Sequence, residues 1–460
     1  MKDFEIFLEK ALSFRKSGNI VEAKRFLEKA IQVNPSKEEP YIILADMYHQ
    51  GQNPKTAIDF IKKFVKVAPQ NPRSLHILVN SLLSFGKVKE ATHIMQSLYS
   101  SSPSNGRYAE GLAACYLLTP GRKSEKLLKD LVDENAASRH SLLDVVKMIW
   151  EDSADLKLNF SEWQSSNLYV SPLIETFYMR SALAAQGFCC ERAEGADALP
   201  ALTLSSLSRY GRFTHTVQNY LTTKIYAARH GFQVQTPEWS GHYFFELNDP
   251  FISQSQHRFN IQVPTVLSDA VSLGNTIPAI FNKGGSYDLF SPYANVFRRT
   301  YKDEVLDLLK IRSYWVDKFD KLHSWVQRNG STIISLHIRL GDMERLGPAY
   351  GAIHYSAYLN WLKENWWRFD KPILYIASDE PEKAKRIFQE FSPITLDDYP
   401  ERDPVISGMQ DFYMLTRSDI VAISRGGFGH TAAALNRNGH QFLRPTRNGD
   451  ALEVFAPWGD

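Results

Sequence analysis

A spacing of 34 residues recurs through the first third of the chain. Pro35, Pro69 and Pro103 keep it, and so do Ala23, Ala57 and Ala91. Ala11, Ala45, Val79 and Ala113 form a third series, and Phe14, Tyr48, Leu82 and Tyr116 a fourth. Gly18 and Gly86 stand two periods apart, with Gly51 one residue out of register between them. Such a period marks one supersecondary unit repeated along the chain, each copy packing only on its neighbours. Small residues sit where the two helices of a unit approach closely, and large ones fill the groove between units. Each Pro ends the second helix, because it has no N–H to continue it.

These four series resemble the tetratricopeptide repeat, a helix pair of the same length. Three repeats are clear. A fourth, about 104–137, keeps Ala113 and Tyr116 but has Glu125 where Ala is expected and Ala137 where Pro is expected. We read it as grading into capping helices near 138–166, such as HSLLDVVKMIW. The resemblance implies an all-α superhelix whose groove binds a peptide or protein. A stacking or dimerising module is the alternative, since fold alone does not give function.

The length, 460 residues, predicts about two to four domains. Apolar residues make up 43% and charged residues 23%, which excludes disorder as the main state. Lys and Arg number 53 against 51 Asp and Glu, so no net basic field favours nucleic acid or a membrane surface. Three cysteines, with Cys189 and Cys190 adjacent, do not make a disulfide framework and suit a reducing compartment. The N-terminus has no signal pattern and no stretch is apolar enough to span a bilayer, so the expectation is a cytoplasmic protein.

Beyond about residue 166 the repeat register is lost. Short β-type runs then alternate with helical ones: TLSSLS (203–208), a helix at about 214–230, FQVQTP (232–237), TIISLHI (332–338), ILYIAS (373–378), DIVAIS (419–424) and HQFLRP (440–445). Apolar strands separated by helices predict parallel sheets covered on both faces. The expected division is 1–166 repeats and caps, 167–200 connector, and two α/β blocks at 201–325 and 326–460. Ligand loops then lie at strand carboxyl ends, facing a cleft.

One such end reads His337-Ile338-Arg339-Leu340-Gly341-Asp342. His337 and Arg339 are two apart, so on extended backbone they project to one side. A guanidinium there offers forked donors to phosphate oxygens. Gly341 permits a tight turn, and Asp342 pins the turn or orients the Arg; a strand-end salt bridge beside a satisfied histidine is the plainer alternative. After the next strand come Ser378, Asp379 and Glu380, and after DIVAIS comes Ser424-Arg425-Gly426-Gly427-Phe428-Gly429 opening a helix. Backbone N–H groups at a helix start cradle phosphate. Arg, acid and glycine-rich helix start together describe a nucleotide-diphosphate site.

HIRLGD resembles the His-x-Arg-x-Gly-Asp motif of the α1,2-, α1,6- and protein O-fucosyltransferase superfamily, and YIASDE and QDFYMLTRSDIVAISRGGFGHTAAAL are similar to its second and third motifs. Upstream, Tyr210-Gly211-Arg212-Phe213 and the segment from Thr216 to Tyr220 look like the family's first loop and helix. The resemblance covers about 201–460 and implies a GT-B fold: an acceptor-side block, a donor-side block, GDP-fucose as donor, inversion and no metal. It implies that Arg339 binds the β-phosphate, that His337 bonds the nucleotide or orients Arg339, and that Asp379, beside Ser378, contacts guanine. Phe428 and the amides of Gly427 and Gly429 would border base and phosphates. Glu344 is a candidate base, with Asp342 and His354 behind it, and some relatives use none. The family's hydroxyl pair is Gly426-Gly427 here, leaving only backbone donors. A glycan or protein acceptor, another GDP-sugar, and an inactive transferase part serving an interaction scaffold all stay open. O-linked N-acetylglucosamine transferase shares the architecture, but its UDP donor fits the Arg motif less well.

Overall fold

A computed structural model describes residues 2–50, 54–67, 87–119, 121–135, 141–151, 171–188, 201–204, 213–252, 301–341, 355–446 and 448–459, with positions 75, 78, 79, 82, 83, 160, 163, 192 and 207. The front is helical: α1 (Lys2–Lys16), α2 (Ile20–Val33), α3 (Glu39–Gln50), α4 (Pro54–Val67), α5 (Val88–Ser101), α6 (Gly106–Leu117), α7 (Arg122–Glu134) and α8 (Leu142–Trp150). Ala11, Ala23, Ala45, Ala91 and Ala113 are all buried, as close helix approach requires. Phe14 stacks on Phe26 with centroids 5.5 Å apart, and one period later Tyr48 stacks on Phe60 at 5.4 Å. The same aromatic pair thus recurs at the same joint. In the next two units Leu82 and Tyr116 are buried at the equivalent place.

The stretch expected as a connector carries a helix, α9 (Ser171–Ala184). Its Leu173, Ile174, Phe177 and Leu183 recur at helical spacing and are buried. That spacing belongs to neither the repeat register nor a strand. One apolar cluster runs without a break from Ala45 in the array to Phe455 near the C-terminus, so the array and the α/β part share a core. Glu125, the residue that departs from the repeat, stands 3.3 Å from Arg180 of α9.

Within 201–325 the described residues hold a two-stranded parallel sheet, β1 (Ala201–Thr203) beside β2 (Gln233–Gln235), joined through α10 (Phe213–His230). Helix α10 is pinned on one side by Asp249, whose carboxylate accepts from Tyr220 Oη at 2.5 Å and pairs with Lys224. Helices α11 (Ser240–Phe244), α12 (Lys302–Leu308) and α13 (Ser313–Gln327) follow.

The main sheet has six strands: β3 (Thr332–Ile338), β4 (Pro372–Ser378), β5 (Ile394–Thr395), β6 (Ile420–Ala422), β7 (Gln441–Pro445) and β8 (Leu452–Val454). Their spatial order is β5-β4-β3-β6-β7-β8, with only the β7–β8 pair antiparallel. Odd-numbered residues (Ile333, Ile373, Tyr375, Val421) join the core with Trp315, Phe319 and Phe412, whereas even-numbered ones (Ile334, Leu336, Leu374, Ile376) join a second core with Tyr358, Leu362 and Phe388. This two-residue alternation with both faces apolar is what a parallel sheet covered by helices demands. The covering helices are α14 (Tyr355–Asn365), α15 (Pro381–Ile387), α16 (Ser407–Arg417) and α17 (Gly427–Leu435). The chain first builds outward from β3 through β4 to β5, then returns to lay β6 on the other side of β3. That reversal opens a crevice outside the carboxyl ends of β3 and β6.

Candidate functional site

The residues at the crevice come from both strand ends. His337, near the end of β3, is buried, and its Nδ1 lies 2.9 Å from Ser424 Oγ just past β6. Its ring sits 4.9 Å from that of Phe428, and Phe428 in turn meets Phe412 of α16 edge-on at 5.6 Å. Phe412 also meets Phe213 at the start of α10, with centroids 5.7 Å apart. A continuous aromatic wall therefore links the first block to the strand ends. Arg339 follows on the same side of the chain as His337 and is half-buried.

Gly426 caps α17 with φ 145° and ψ 161°, a conformation that is essentially reserved for glycine. A Cβ placed there would stand 4.0 Å from Arg339 Nη1, so the guanidinium lies against the turn that opens the helix. Gly427, Phe428 and Gly429 form the first turn, whose N–H groups have no partner within the helix. Arg425 is directed away, donating from Nη2 to Thr446 O at 2.7 Å. One strand end thus supplies a permanent cation and the neighbouring one a helix start, an arrangement suited to an anionic group.

Asp379, expected to contact guanine, holds backbone amides in this structure. Its Oδ1 accepts the Leu340 N–H at 2.8 Å and its Oδ2 accepts the Gly341 N–H at 3.3 Å, so the acid after β4 clamps the loop that carries Arg339. Ser378 Oγ accepts the Glu380 N–H at 3.1 Å, a local turn contact. Asp342, Glu344, His354 and Gly211 lie outside the described residues. Among the described residues no group of three His, Cys, Asp or Glu is placed to hold a metal ion, and no helix is long and apolar enough to cross a membrane.

Two residues lie inside segments that resemble family motifs, yet the sequence assigned them no role. Gln218 of α10 is buried against Gly427, and its Nε2 donates to Thr431 Oγ1 at 3.3 Å. The resembling segment from Thr216 to Tyr220 contains it, but its partner Thr431 is far away in sequence, so no local signal gives its contact. Asp411 of α16 lies beneath the middle of β4, where Tyr375 Oη donates to its Oδ1 at 2.6 Å. Burial pushes its carboxyl up to about 7, and Asp397 adds to the rise, while the Tyr375 bond and Arg402 pull the other way. It stands below the crevice, not in it.

Comparison with known proteins adds the following. Residues 4–37 match the family described as Tetratricopeptide repeat. No curated protein sequence matches the chain. A solved NodZ alpha-1,6-fucosyltransferase soaked with GDP-fucose is 14% identical, covering 53% of this chain and 95% of its own, with a TM-score of 0.32. The same enzyme with GDP gives 13% identity over 53% of this chain and 94% of its own, with a TM-score of 0.32. MamA from Desulfovibrio magneticus RS-1 is 16% identical over 36% of this chain and 95% of its own, with a TM-score of 0.28. The front of the chain is therefore similar to tetratricopeptide repeats in sequence, and it precedes a largely parallel α/β sheet.

Proposed function

We propose that the chain transfers a sugar, fucose first among the choices, from a GDP-sugar to a hydroxyl of a glycan or protein acceptor. The observation that carries this reading is the approach of Arg339 to Gly426 at the opening turn of α17, on strands that flank the reversal of the sheet. The resemblance of HIRLGD and the two later motifs to the fucosyltransferase superfamily supports the choice of GDP as the nucleotide. Residues 326–460 take the donor, and 201–325 face the acceptor, in a GT-B arrangement.

The acceptor oxygen attacks the anomeric carbon from the side opposite GDP. The bond from that carbon to the β-phosphate oxygen breaks, and its electron pair stays on GDP. Arg339 and the free N–H groups of α17 face the charge that grows there, and a fixed cation and dipole act with little reorganisation. The design needs no metal to neutralise the diphosphate. His337, held by Ser424 and Phe428, keeps the strand end rigid beside Arg339. Glu344 takes the acceptor proton, or water does. The repeats hold a protein partner or a second copy of the chain, and the enzyme works in a reducing, cytoplasmic compartment.

Calorimetric titration with GDP and with UDP, on the native chain and on Arg339→Ala, tests the reading. GDP binds, UDP does not, and the variant loses GDP by about tenfold or more while its melting temperature is kept. A second reading, an interaction scaffold with an inactive transferase part, is favoured by the lack of a hydroxyl at Gly426 and Gly427. Failure of the native chain to bind either nucleotide selects it.

A further inference from the structure

We infer that Gln218 is a positioning residue for the donor diphosphate, a latch carried by the first α/β block and closed on the opening turn of α17. The inference rests on the donor reading above. Gln218 is polar, yet it is only 5% exposed. Its Nε2 donates to Thr431 Oγ1 at 3.3 Å, and Thr431 Oγ1 donates to Gly427 O at 2.7 Å. This chain of bonds ends on the first residue of α17, so the carboxamide fixes the turn whose N–H groups meet the anion.

Gly427 lies directly against Gln218. It is absent from the glycines with positive φ, so backbone torsion does not demand glycine there. Space does. A Cβ at 427 would stand 2.2 Å from Gln218 Nε2 and 2.8 Å from both Cδ and Oε1. No side chain fits at 427 while Gln218 is docked. The two residues form one interlocking unit, in which a carboxamide from one block occupies the place a side chain of the other would fill. Docking of α10 and completion of the diphosphate cradle are then the same event, and donor affinity depends on how the two blocks meet.

The test is titration of the full chain with GDP, and with guanosine as a control that lacks the diphosphate. Gln218→Glu keeps the shape but adds a negative charge beside the phosphates, so GDP weakens by about tenfold or more while guanosine is unchanged. Gly427→Ser alone weakens GDP, and Gln218→Ala in the same chain restores part of the loss, because it removes the clash. Equal losses for GDP and guanosine in Gln218→Glu overturn the inference, since that is what general loosening produces. So does native GDP affinity in Gln218→Glu, or in Gly427→Ser, while Arg339→Ala is weakened; the donor site then stands without the latch. A native chain that binds no GDP overturns the donor reading and the inference together.

Discussion

Arg180 Nη1 donates to Glu238 Oε2 at 2.7 Å, with the Glu238 side chain only 1% exposed. Arg180 belongs to α9, and Glu238 lies just beyond β2, so the contact ties the helical part to the α/β part. Glu238 also accepts from Tyr243 Oη. The cluster raises the Arg180 guanidinium further above its ordinary range through the nearby carboxylates, against the opposing effect of burial. The outer partner, Glu125, is 46% exposed and belongs to the residue series that breaks the repeat. The departure of the fourth repeat from its pattern thus coincides with the place where the array must join something other than another repeat.

Removing Arg180 leaves Glu238 buried and uncompensated. Arg180→Ala is expected to destabilise the chain by about 3–5 kcal/mol, whereas Glu125→Ala costs about 1 kcal/mol or less, because that pair is open to solvent. Urea denaturation of the two variants checks the difference. Equal, small effects would mean that the junction is held by apolar packing alone.

Asp411 gives stability a dependence on pH with a definite sign. Its carboxyl titrates near 3.8 in the unfolded chain and at about 7 when folded, so between those values the folded chain binds the extra proton. Stability from this group is therefore present at low pH and falls as pH rises from about 4 through about 7. Melting curves across that range, compared with Asp411→Asn, isolate the contribution. The variant is expected to flatten the decline, and an unchanged slope would assign it to other groups.

Asp379 holds the Leu340 and Gly341 N–H groups, so its effect on binding is expected to pass through the Arg339 loop. Asp379→Ala should weaken GDP and inorganic pyrophosphate by the same factor, about tenfold for loss of two bonds to a carboxylate. If the carboxylate reads guanine instead, pyrophosphate affinity is untouched and GDP loses its advantage over other nucleotides. Calorimetry with both ligands separates these outcomes.

Several elements are legible in the chain because their information is local. The run from Thr332 to Ile338 alternates between two apolar faces and is found as β3 over those same residues. The helix expected at 214–230 spans Phe213–His230. The stretch read as a connector contains α9, whose apolar spacing is helical but follows neither pattern that surrounds it. Ser378 and Asp379 are correctly placed at a strand end, yet backbone amides nearby claim their oxygens. Nothing in a linear motif tells which donors a carboxylate will find.

The sequence by itself determined a helix-pair array at the front, parallel strands behind it, and an Arg and a glycine-rich helix start at the ends of two of those strands. Periods of 34 and of two residues fix these features, since each depends on neighbours along the chain. Tertiary structure alone decided that β6 returns to lie beside β3, which brings Arg339 to Gly426. It also decided that Gln218 fills the space above Gly427, and that Glu125, where the repeat pattern breaks, stands beside Arg180. These are packing relations between segments far apart in sequence. They are set by which surfaces exclude water together, and a residue's own neighbours carry no record of them.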